Sequence, residues 1–275
     1  AWDYAALHRE PSRVLQLHPE FRMRRLPVTQ LTAASPQTFD PLPEVIVAAR
    51  LLPAGDIDES SLQLMTVSRT LAWTPPAGDW RLFVYTAVDA TDRGVRTDLL
   101  NPAAVRAFLD IVYEQFARRF PQHLGSTIRF FVSDHEGSYG AALPYTPALW
   151  DTFRHRHNYD LRPLLPLLSS NSARAVQARQ DYLETVSHLY AVSFVQQITD
   201  WCSQHNVEHG HSDIEETLLL QVLWTGDMFQ LWRASSAVFI DALIERARMP
   251  VDFQEALSVA HFEKRPLMVE THGLL

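Results

Sequence analysis

The chain contains few of the residues that a disulfide-stabilised, nucleotide-binding or membrane-spanning protein needs. Cys202 is its single cysteine, so no disulfide can form within the chain, and we expect this thiol to lie buried in a helix. With 9 glycines in 275 residues it has neither a phosphate-binding P-loop nor a G-x-G-x-x-G pattern. No apolar run reaches the roughly 18–20 residues of a membrane span. A nucleotide-binding fold and a membrane-spanning protein are therefore not expected.

Positive charge is also scarce. Lys and Arg number 24 against 32 Asp and Glu, which gives a formal net charge of −8. The one basic cluster, Arg22, Arg24 and Arg25, is short and is interpreted as a solvated face. Because a protein must cluster basic side chains to neutralise phosphates, we expect no nucleic-acid partner, and we expect no membrane partner either.

The residues that are present predict a folded protein. The composition is 47% hydrophobic and 11% aromatic, which is enough to build a sizeable core. The chain begins at Ala1 rather than Met, and it stops soon after the strand-like run at 266–270. We therefore expect a piece of a longer protein, so that localisation, extracytoplasmic or cytoplasmic, stays open.

Three regions differ in pattern. Residues 1–39 are broken by proline and are interpreted as a loop-rich lead-in. Residues 40–72 contain short β-branched runs separated by turn residues and predict a small β insertion subdomain. Residues 73–275 alternate apolar runs with amphipathic segments. This alternation predicts an α/β fold, specifically an incomplete (β/α)8 barrel of the TIM type with a small β-rich insertion.

Individual elements of this barrel can be read from the sequence. The runs at 80–88 and 128–133 are apolar on both faces, which is typical of buried parallel strands. Asn101-Pro102 and Thr146-Pro147 each predict an N-cap followed by proline at the first helical position. A long helix is predicted over 173–205. Further helical patterns were found at 219–232 and 237–248, before a last strand over 266–270.

Carboxylates follow three of the predicted strands. They occur in Asp134-His135-Glu136, in the adjacent pair Glu215 and Glu216, and at Glu270. In a (β/α) barrel the active site lies at the carboxyl ends of the strands, so these acids are the candidate catalytic groups. Two alternatives stay open: Asp134 and Glu136 could cap a turn or pair with arginine, and Glu215 and Glu216 could complement a helix dipole.

Acids in this position suit the hydrolysis of a glycosidic bond. That reaction needs one protonated carboxyl to assist the leaving oxygen and one carboxylate to activate water or to attack. Glu136 lies between His135 and Gly137 and close to Tyr139, where neighbouring acids and partial burial would raise its pKa. Glu136 is therefore the candidate general acid.

Histidines and tyrosines accompany these acids. His209, His211 and His272 could bind sugar hydroxyls, act in proton transfer or ligate a metal. His209 and His211 are two apart on an extended segment and should point the same way. Zinc would need a third ligand at a recognisable spacing, and the abundance of oxygen ligands favours Ca²⁺ instead. Tyr139 and Tyr145 are expected to face a ligand, whereas aromatic residues at helical spacing are expected in the core.

Three segments resemble a known family. They are Ser-Asp-His-Glu-Gly-Ser-Tyr-Gly at 133–140, Tyr-Thr-Pro-Ala-Leu-Trp-Asp-Thr-Phe at 145–153, and Asn-Tyr-Asp-Leu-Arg-Pro-Leu-Leu-Pro at 158–166. Together they resemble the catalytic barrel of glycoside hydrolase family 106, the α-L-rhamnosidase-like enzymes. Asn158 stands where the family has glycine, and 211–216 departs from the usual pattern.

The resemblance implies an O-glycosidase with a (β/α)8 barrel, an inverting two-carboxylate mechanism and, in characterised members, calcium. Glu136 matches the acid at the strand end, and the base is left open among Glu215, Glu216 and Glu270. The other residues expected at the site are assigned to binding of an oligosaccharide or glycoside substrate: Asp134, His135, Tyr139, His209, His211 and His272. The alternative is a catalytically inactive barrel that binds carbohydrate or supports a larger assembly.

Overall fold

The computed structural model describes residues 12–32, 36–90, 96–135, 143–213, 226–242 and 250–271. The chain divides into two compact units. The parallel-sheet unit comprises Ala1–Met23, Ala90–Ala141 and Val186–Leu275, and the antiparallel-sheet unit comprises Arg24–Asp89 and Ala142–Thr185. Across the described helices, none combines the length and apolar character that crossing a membrane would require.

Within the described ranges the chain forms thirteen strands. They are β1 (Arg24–Arg25), β2 (Val28–Thr32), β3 (Gln37–Thr38), β4 (Val45–Leu51), β5 (Gln63–Leu64), β6 (Thr70–Leu71), β7 (Asp79–Tyr85), β8 (Val88–Asp89), β9 (Phe130–His135), β10 (Pro144–Tyr145), β11 (Glu208–Asp213), β12 (Ala237–Ala242) and β13 (Leu267–Thr271).

The same ranges contain eight α-helices and several shorter helical turns. The helices are α1 (Arg13–Leu17), α2 (Pro102–Ile111), α3 (Tyr113–Arg119), α4 (Leu149–His157), α5 (Ala173–Tyr190), α6 (Gln196–Gln204), α7 (Met228–Ala234) and α8 (Pro250–Glu263). The turns are 3₁₀ helices at Pro19–Phe21, Glu59–Ser61, Pro121–His123 and Arg162–Leu167, and a π-helix at Ala191–Val195.

The parallel-sheet unit is built around a four-stranded sheet with the order β13-β12-β11-β9. All three neighbouring pairs are parallel. The strands therefore follow one another across the sheet in the order in which they occur along the chain, with α7 between β11 and β12 and α8 between β12 and β13. A doubly wound sheet reverses its strand order at a switch point. The described strands show no such reversal, and they also do not form a closed barrel.

One strand of this sheet was predicted wrongly. The run 237–248 was interpreted as helical, whereas Ala237–Ala242 forms β12. Val238 and Ile240 are buried, and so is Phe239. A short run that is apolar on every side cannot be assigned to strand or buried helix from its periodicity. Its β-branched and aromatic residues favour a strand over a helix.

The antiparallel-sheet unit also corrects the sequence analysis. Its main sheet has the order β2-β7-β4-β5 and every pair in it is antiparallel. The strand expected at 80–88 is present as β7, but its assignment to a parallel barrel sheet is wrong. Its two faces are both buried because Leu82 and Val84 belong to one core cluster, while Phe83 and Tyr85 are buried on the other face.

The two predicted helix starts behave differently. The side chain of Asn101 accepts a hydrogen bond from the backbone N–H of Ala103 at 3.0 Å, so the cap of α2 is confirmed. Helix α4 instead begins at Leu149, with no side-chain cap. The hydroxyl of Thr146 is buried without a hydrogen-bond partner. The Thr-Pro signal therefore marks a turn before the helix rather than the cap itself.

The long helix predicted over 173–205 is present, but it is not regular. Between α5 and α6 the five residues Ala191–Val195 adopt π-helical geometry. This inserts extra backbone into the helix and changes which side chains face the sheet. Cys202 lies in α6 and is fully buried, as expected. Burial raises the pKa of its thiol to about 12, and the charge of Glu208 acts in the same direction.

Candidate active site

The carboxyl ends of the four parallel strands form one edge of the sheet, and acidic residues occupy it. Asp134 is the penultimate residue of β9, and Glu270 is the penultimate residue of β13. Because neighbouring parallel strands end at the same side, this edge is where ligands bind in open and closed α/β folds. The strands thus place two of the acid positions that the sequence singled out along the same edge of the sheet.

The strand register aligns these positions. Ser212 on β11 pairs with Asp134 on β9, and Asp213 pairs with His135. On the other side of the sheet Asp241 on β12 pairs with Glu270 on β13. Acidic residues therefore occur at the carboxyl end of every described strand of the parallel sheet.

Two of these acids were missed by the sequence analysis. Asp213 was seen only as part of an atypical segment, and Asp241 was hidden within the run that was interpreted as a helix. The signal was nevertheless present, because Val-Phe-Ile-Asp at 238–241 repeats the pattern of an apolar run followed by an acid. Reading that run as a strand would have identified Asp241 by the rule that selected Asp134 and Glu270.

Several predicted site residues lie outside the described residues. For Asp134, His135 and Glu270 the description covers the backbone position only. The remaining ones belong to segments that follow the strand ends and are not described: Glu136, Tyr139, Glu215, Glu216 and His272.

His209 and His211 are fully described, and both are buried inside the parallel-sheet unit. Their side chains point the same way, as the spacing predicted, and meet the hydroxyl of Ser133 on the neighbouring strand. The Ser133 Oγ is 2.9 Å from Nε2 of His209 and 2.7 Å from Nδ1 of His211. The other ring nitrogen of His209 is 2.8 Å from Oγ1 of Thr199.

This environment corrects the role expected of His209. Both of its ring nitrogens are engaged with hydroxyls of the protein, and the ring has no exposed surface. Burial, and secondarily the neighbouring His211, holds the pKa of His209 well below its ordinary value of 6.5. His209 is therefore a neutral residue beneath the strand ends rather than a group that touches a substrate.

Tyr145 was expected to face a ligand, and it does not. It is buried in the antiparallel-sheet unit, and its hydroxyl donates a hydrogen bond to Glu44 at 2.7 Å. Burial and this carboxylate raise the pKa of the Tyr145 phenol. The side chain stabilises its own unit by linking β10 to the segment that precedes β4.

Among the described residues one group of side chains has a spacing that would suit a metal: His157, Asp181 and Glu184. These groups are already engaged. Tyr159 and Gln177 donate to the two carboxylate oxygens of Asp181 at 2.7 and 2.8 Å, and Arg156 donates to Glu184 at 2.6 Å. A calcium ion prefers several free oxygen ligands. The cluster does not fit Ca²⁺, and we interpret it as a hydrogen-bond network.

The fold and this edge together define a class of protein. Parallel strands in chain order, alternating with helices, are the arrangement of (β/α)-type folds, whose ligand sites lie at the carboxyl ends of their strands. A comparison with protein families is more specific: residues 45–269 match the alpha-L-rhamnosidase family, glycoside hydrolase family 106. The chain belongs to this family.

Solved structures agree at the level of the fold. The structure of a rhamnosidase from Novosphingobium sp. PP1Y superimposes with a TM-score of 0.61 over 78% of this chain, at 20% sequence identity. The matched part is 23% of that rhamnosidase chain, so this chain spans less than a quarter of its relative. No curated protein matches the sequence.

Proposed function

We propose that this protein is a glycoside hydrolase that cleaves α-L-rhamnosides. The observation that carries the proposal is the parallel sheet inside the family match, whose described strands each bring an acid to one edge. Glycoside hydrolysis needs two carboxyl groups on opposite sides of a sugar. An edge with several acids supplies them.

The scaffold that we infer is a (β/α)8 barrel, of which the described sheet is one half. Four strands in chain order, without a reversal, are what half of such a barrel would contain. A barrel also explains how acids on distant strands can act on one substrate, because closure of the sheet turns its carboxyl edge into a ring. Asp213 and Asp241 would join the acids of that ring.

In the mechanism that we propose, Glu136 is the general acid. It follows directly after β9, so its proton would be delivered from the rim of the sheet to the leaving oxygen. The base is one of Glu215, Glu216 and Glu270, and it activates a water molecule on the other side of the sugar.

Substrate recognition is proposed for the polar residues around the same rim. Asp134, His135, Tyr139 and His272 follow or end strands of the parallel sheet and have the hydrogen-bonding groups that sugar hydroxyls require. We do not include His209, whose nitrogens are engaged within the protein. His211 is buried with it and is bonded to Ser133.

The proposal is tested by replacing Glu136 with Gln, which removes the proton donor and keeps the shape. The purified protein is first screened on a panel of aryl glycosides. In the variant we expect kcat/KM to fall by about 10²–10⁴-fold on a rhamnoside with a poor leaving group, because that step needs the acid. On an activated aryl rhamnoside the loss should be much smaller.

The matched control is Glu20→Gln, an exposed glutamate of the same unit whose carboxylate lies 3.3 Å from Nδ1 of His18. It should keep the wild-type rate on both substrates. Equal losses on both substrates in Glu136→Gln would contradict the general-acid role and move it to Asp134. A wild-type protein that binds rhamnosides without hydrolysing any of the panel would instead favour a carbohydrate-binding module.

A further inference from the structure

A chain of buried polar side chains lies directly beneath the carboxyl ends of β9 and β11. We name it the Ser–His chain; its members are Tyr190, His211, Ser133, His209 and Thr199. We propose that the Ser–His chain is a positioning device that holds the ends of these two strands in one fixed arrangement. The proposal rests on the proposed function, because it concerns the acids that those strand ends carry.

The hydrogen-bond partners determine which group donates at each step from Thr199 to His211. Thr199 donates its hydroxyl proton to the backbone carbonyl of Val195 at 3.0 Å, so its oxygen accepts from Nδ1–H of His209. His209 is neutral, because its pKa is lowered, and its Nε2 must therefore accept. The hydroxyl of Ser133 is the donor to that nitrogen.

The second half of the chain follows from the first. Having donated its only proton to His209, Ser133 must accept from Nδ1–H of His211, at 2.7 Å. The hydroxyl of Tyr190 lies 3.4 Å from Nε2 of the same ring. Both imidazoles thus carry a proton on Nδ1, and the hydroxyl of Ser133 bridges the two rings.

The neighbouring helix is shaped to complete this chain. The rings of Tyr190 and Phe194 stack with centroids 5.5 Å apart, and both meet the His211 ring edge to face at 5.7 and 5.8 Å. Phe194 and Val195 lie in the π-helical turn. Such turns are frequent at functional sites, and this one presents the ring of Phe194 to His211 and the carbonyl of Val195 to Thr199.

The position of the chain connects it to the acids. Ser133 is the residue before Asp134, and it is the direct register partner of His211. A side-chain bridge therefore joins β9 to β11 two residues before the end of each strand. Misplacing a catalytic group by about 1 Å can cost on the order of 10²-fold in rate, so a fixed strand end has a catalytic consequence.

The proton assignment can be tested without any activity measurement. In protein labelled with ¹⁵N-histidine, ring nitrogen NMR distinguishes the two neutral tautomers. At pH 7 we expect a protonated Nδ1 on both His209 and His211 and a bare Nε2 on His209, with resonances assigned through His209→Asn and His211→Asn. A protonated Nε2 on His209 would contradict the proton assignment of the Ser–His chain, because the hydroxyl of Ser133 would then have no acceptor at that nitrogen.

The positioning role is tested by kinetics on the active protein. Ser133→Ala removes the bridge, and we expect kcat to fall about 10-fold or more while KM changes less than about twofold. His211→Leu should behave in the same way. His211→Asn keeps an amide N–H where Nδ1–H was, and should recover most of the rate.

The matched control is Thr185→Ala. Thr185 is equally buried, and its hydroxyl also bonds a histidine, His157, at 3.0 Å, but it lies in the antiparallel-sheet unit. This variant should keep kcat within about twofold. Wild-type kcat in Ser133→Ala, or equal losses in both variants, would overturn the positioning role. If the wild-type protein cleaves no glycoside, the proposed function fails. The NMR result still decides whether the Ser–His chain is present.

Discussion

At the scale of single residues, His209 shows how a buried histidine couples stability to pH. Its folded-state pKa lies well below 6.5, whereas in the unfolded chain it titrates near that value. Below about pH 6.5 the unfolded state therefore binds a proton that the folded state does not bind. The folded state is fully favoured above that pH and loses stability as the pH falls towards the folded-state pKa.

We therefore predict a steeper acid loss of stability in the wild-type chain than in His209→Gln. The variant should be less stable at pH 8, because it loses a hydrogen bond of the Ser–His chain. Between pH 7 and pH 5 the free energy of unfolding should fall less in the variant than in the wild type. The two slopes should differ by up to about 1.4 kcal/mol for each pH unit. Urea denaturation at several pH values measures both quantities. Identical slopes in the two proteins would show that His209 does not titrate between the states.

Gly210 separates the two buried histidines, and its lack of a side chain is required by packing. A Cβ at this position would lie 2.8 Å from Cζ of Phe130 and 3.1 Å from Cβ of Phe239. The second of these atoms is fixed to the backbone of β12 and cannot rotate away. We predict that Gly210→Ala lowers the free energy of unfolding by about 1–3 kcal/mol.

A double-mutant cycle with Phe130→Leu checks the cause. The smaller side chain should relieve part of the clash, so the double variant should be more stable than the sum of the single effects predicts. Gly55→Ala provides a contrast, since no atom lies within 4 Å of its Cβ position and only its φ of +89° opposes the change. Additive effects at 210 and 130 would contradict the steric explanation.

At the scale of elements, the sequence predicted well wherever the signal was local. The cap at Asn101, the long helix over 173–205 and strands β9 and β13 follow from nearest-neighbour chemistry and periodicity. The π-helical turn was not predicted, because no proline or glycine marks it; Phe194 in this turn and Tyr190 before it pack against His211, a contact that local sequence does not reveal.

Errors arose where pairing partners decide the outcome. The run at 80–88 is apolar on both faces because both faces are buried, as expected. Its partner strands β2 and β4, however, are distant in sequence and pair with it in the antiparallel direction. Burial pattern carries no information about strand direction. The same division applies to the candidate site. The acids at the strand ends were proposed from local sequence pattern, whereas the burial of His209 depends on contacts with Ser133 and Thr199 that the sequence does not reveal.

At the scale of the whole molecule, the strand order bears on how the reaction can proceed. Glu215 and Glu216 follow β11, which neighbours β9, whereas Glu270 is the penultimate residue of β13, three strand positions from β9. Neighbouring strands lie about 4.8 Å apart, so three positions span roughly 14 Å before side chains and curvature shorten the distance. With Glu270 as the base, this spacing would leave room for a sugar and a water molecule between its carboxyl and an acid that follows β9.

We therefore predict inversion. The acid and base carboxyls should stand about 6.5–9.5 Å apart, which admits water, rather than the roughly 5–5.5 Å of a nucleophile that attacks directly. With an α-L-rhamnoside, proton NMR during the first minutes should show β-L-rhamnose appearing before mutarotation produces the α anomer. Replacing each of Glu215, Glu216 and Glu270 with Ala should identify the base as the variant that loses rate on activated and poor substrates alike. Added azide should restore only that variant, because azide can attack where the missing base would have activated water. Initial release of α-L-rhamnose would contradict inversion and would assign a nucleophile to the second carboxylate.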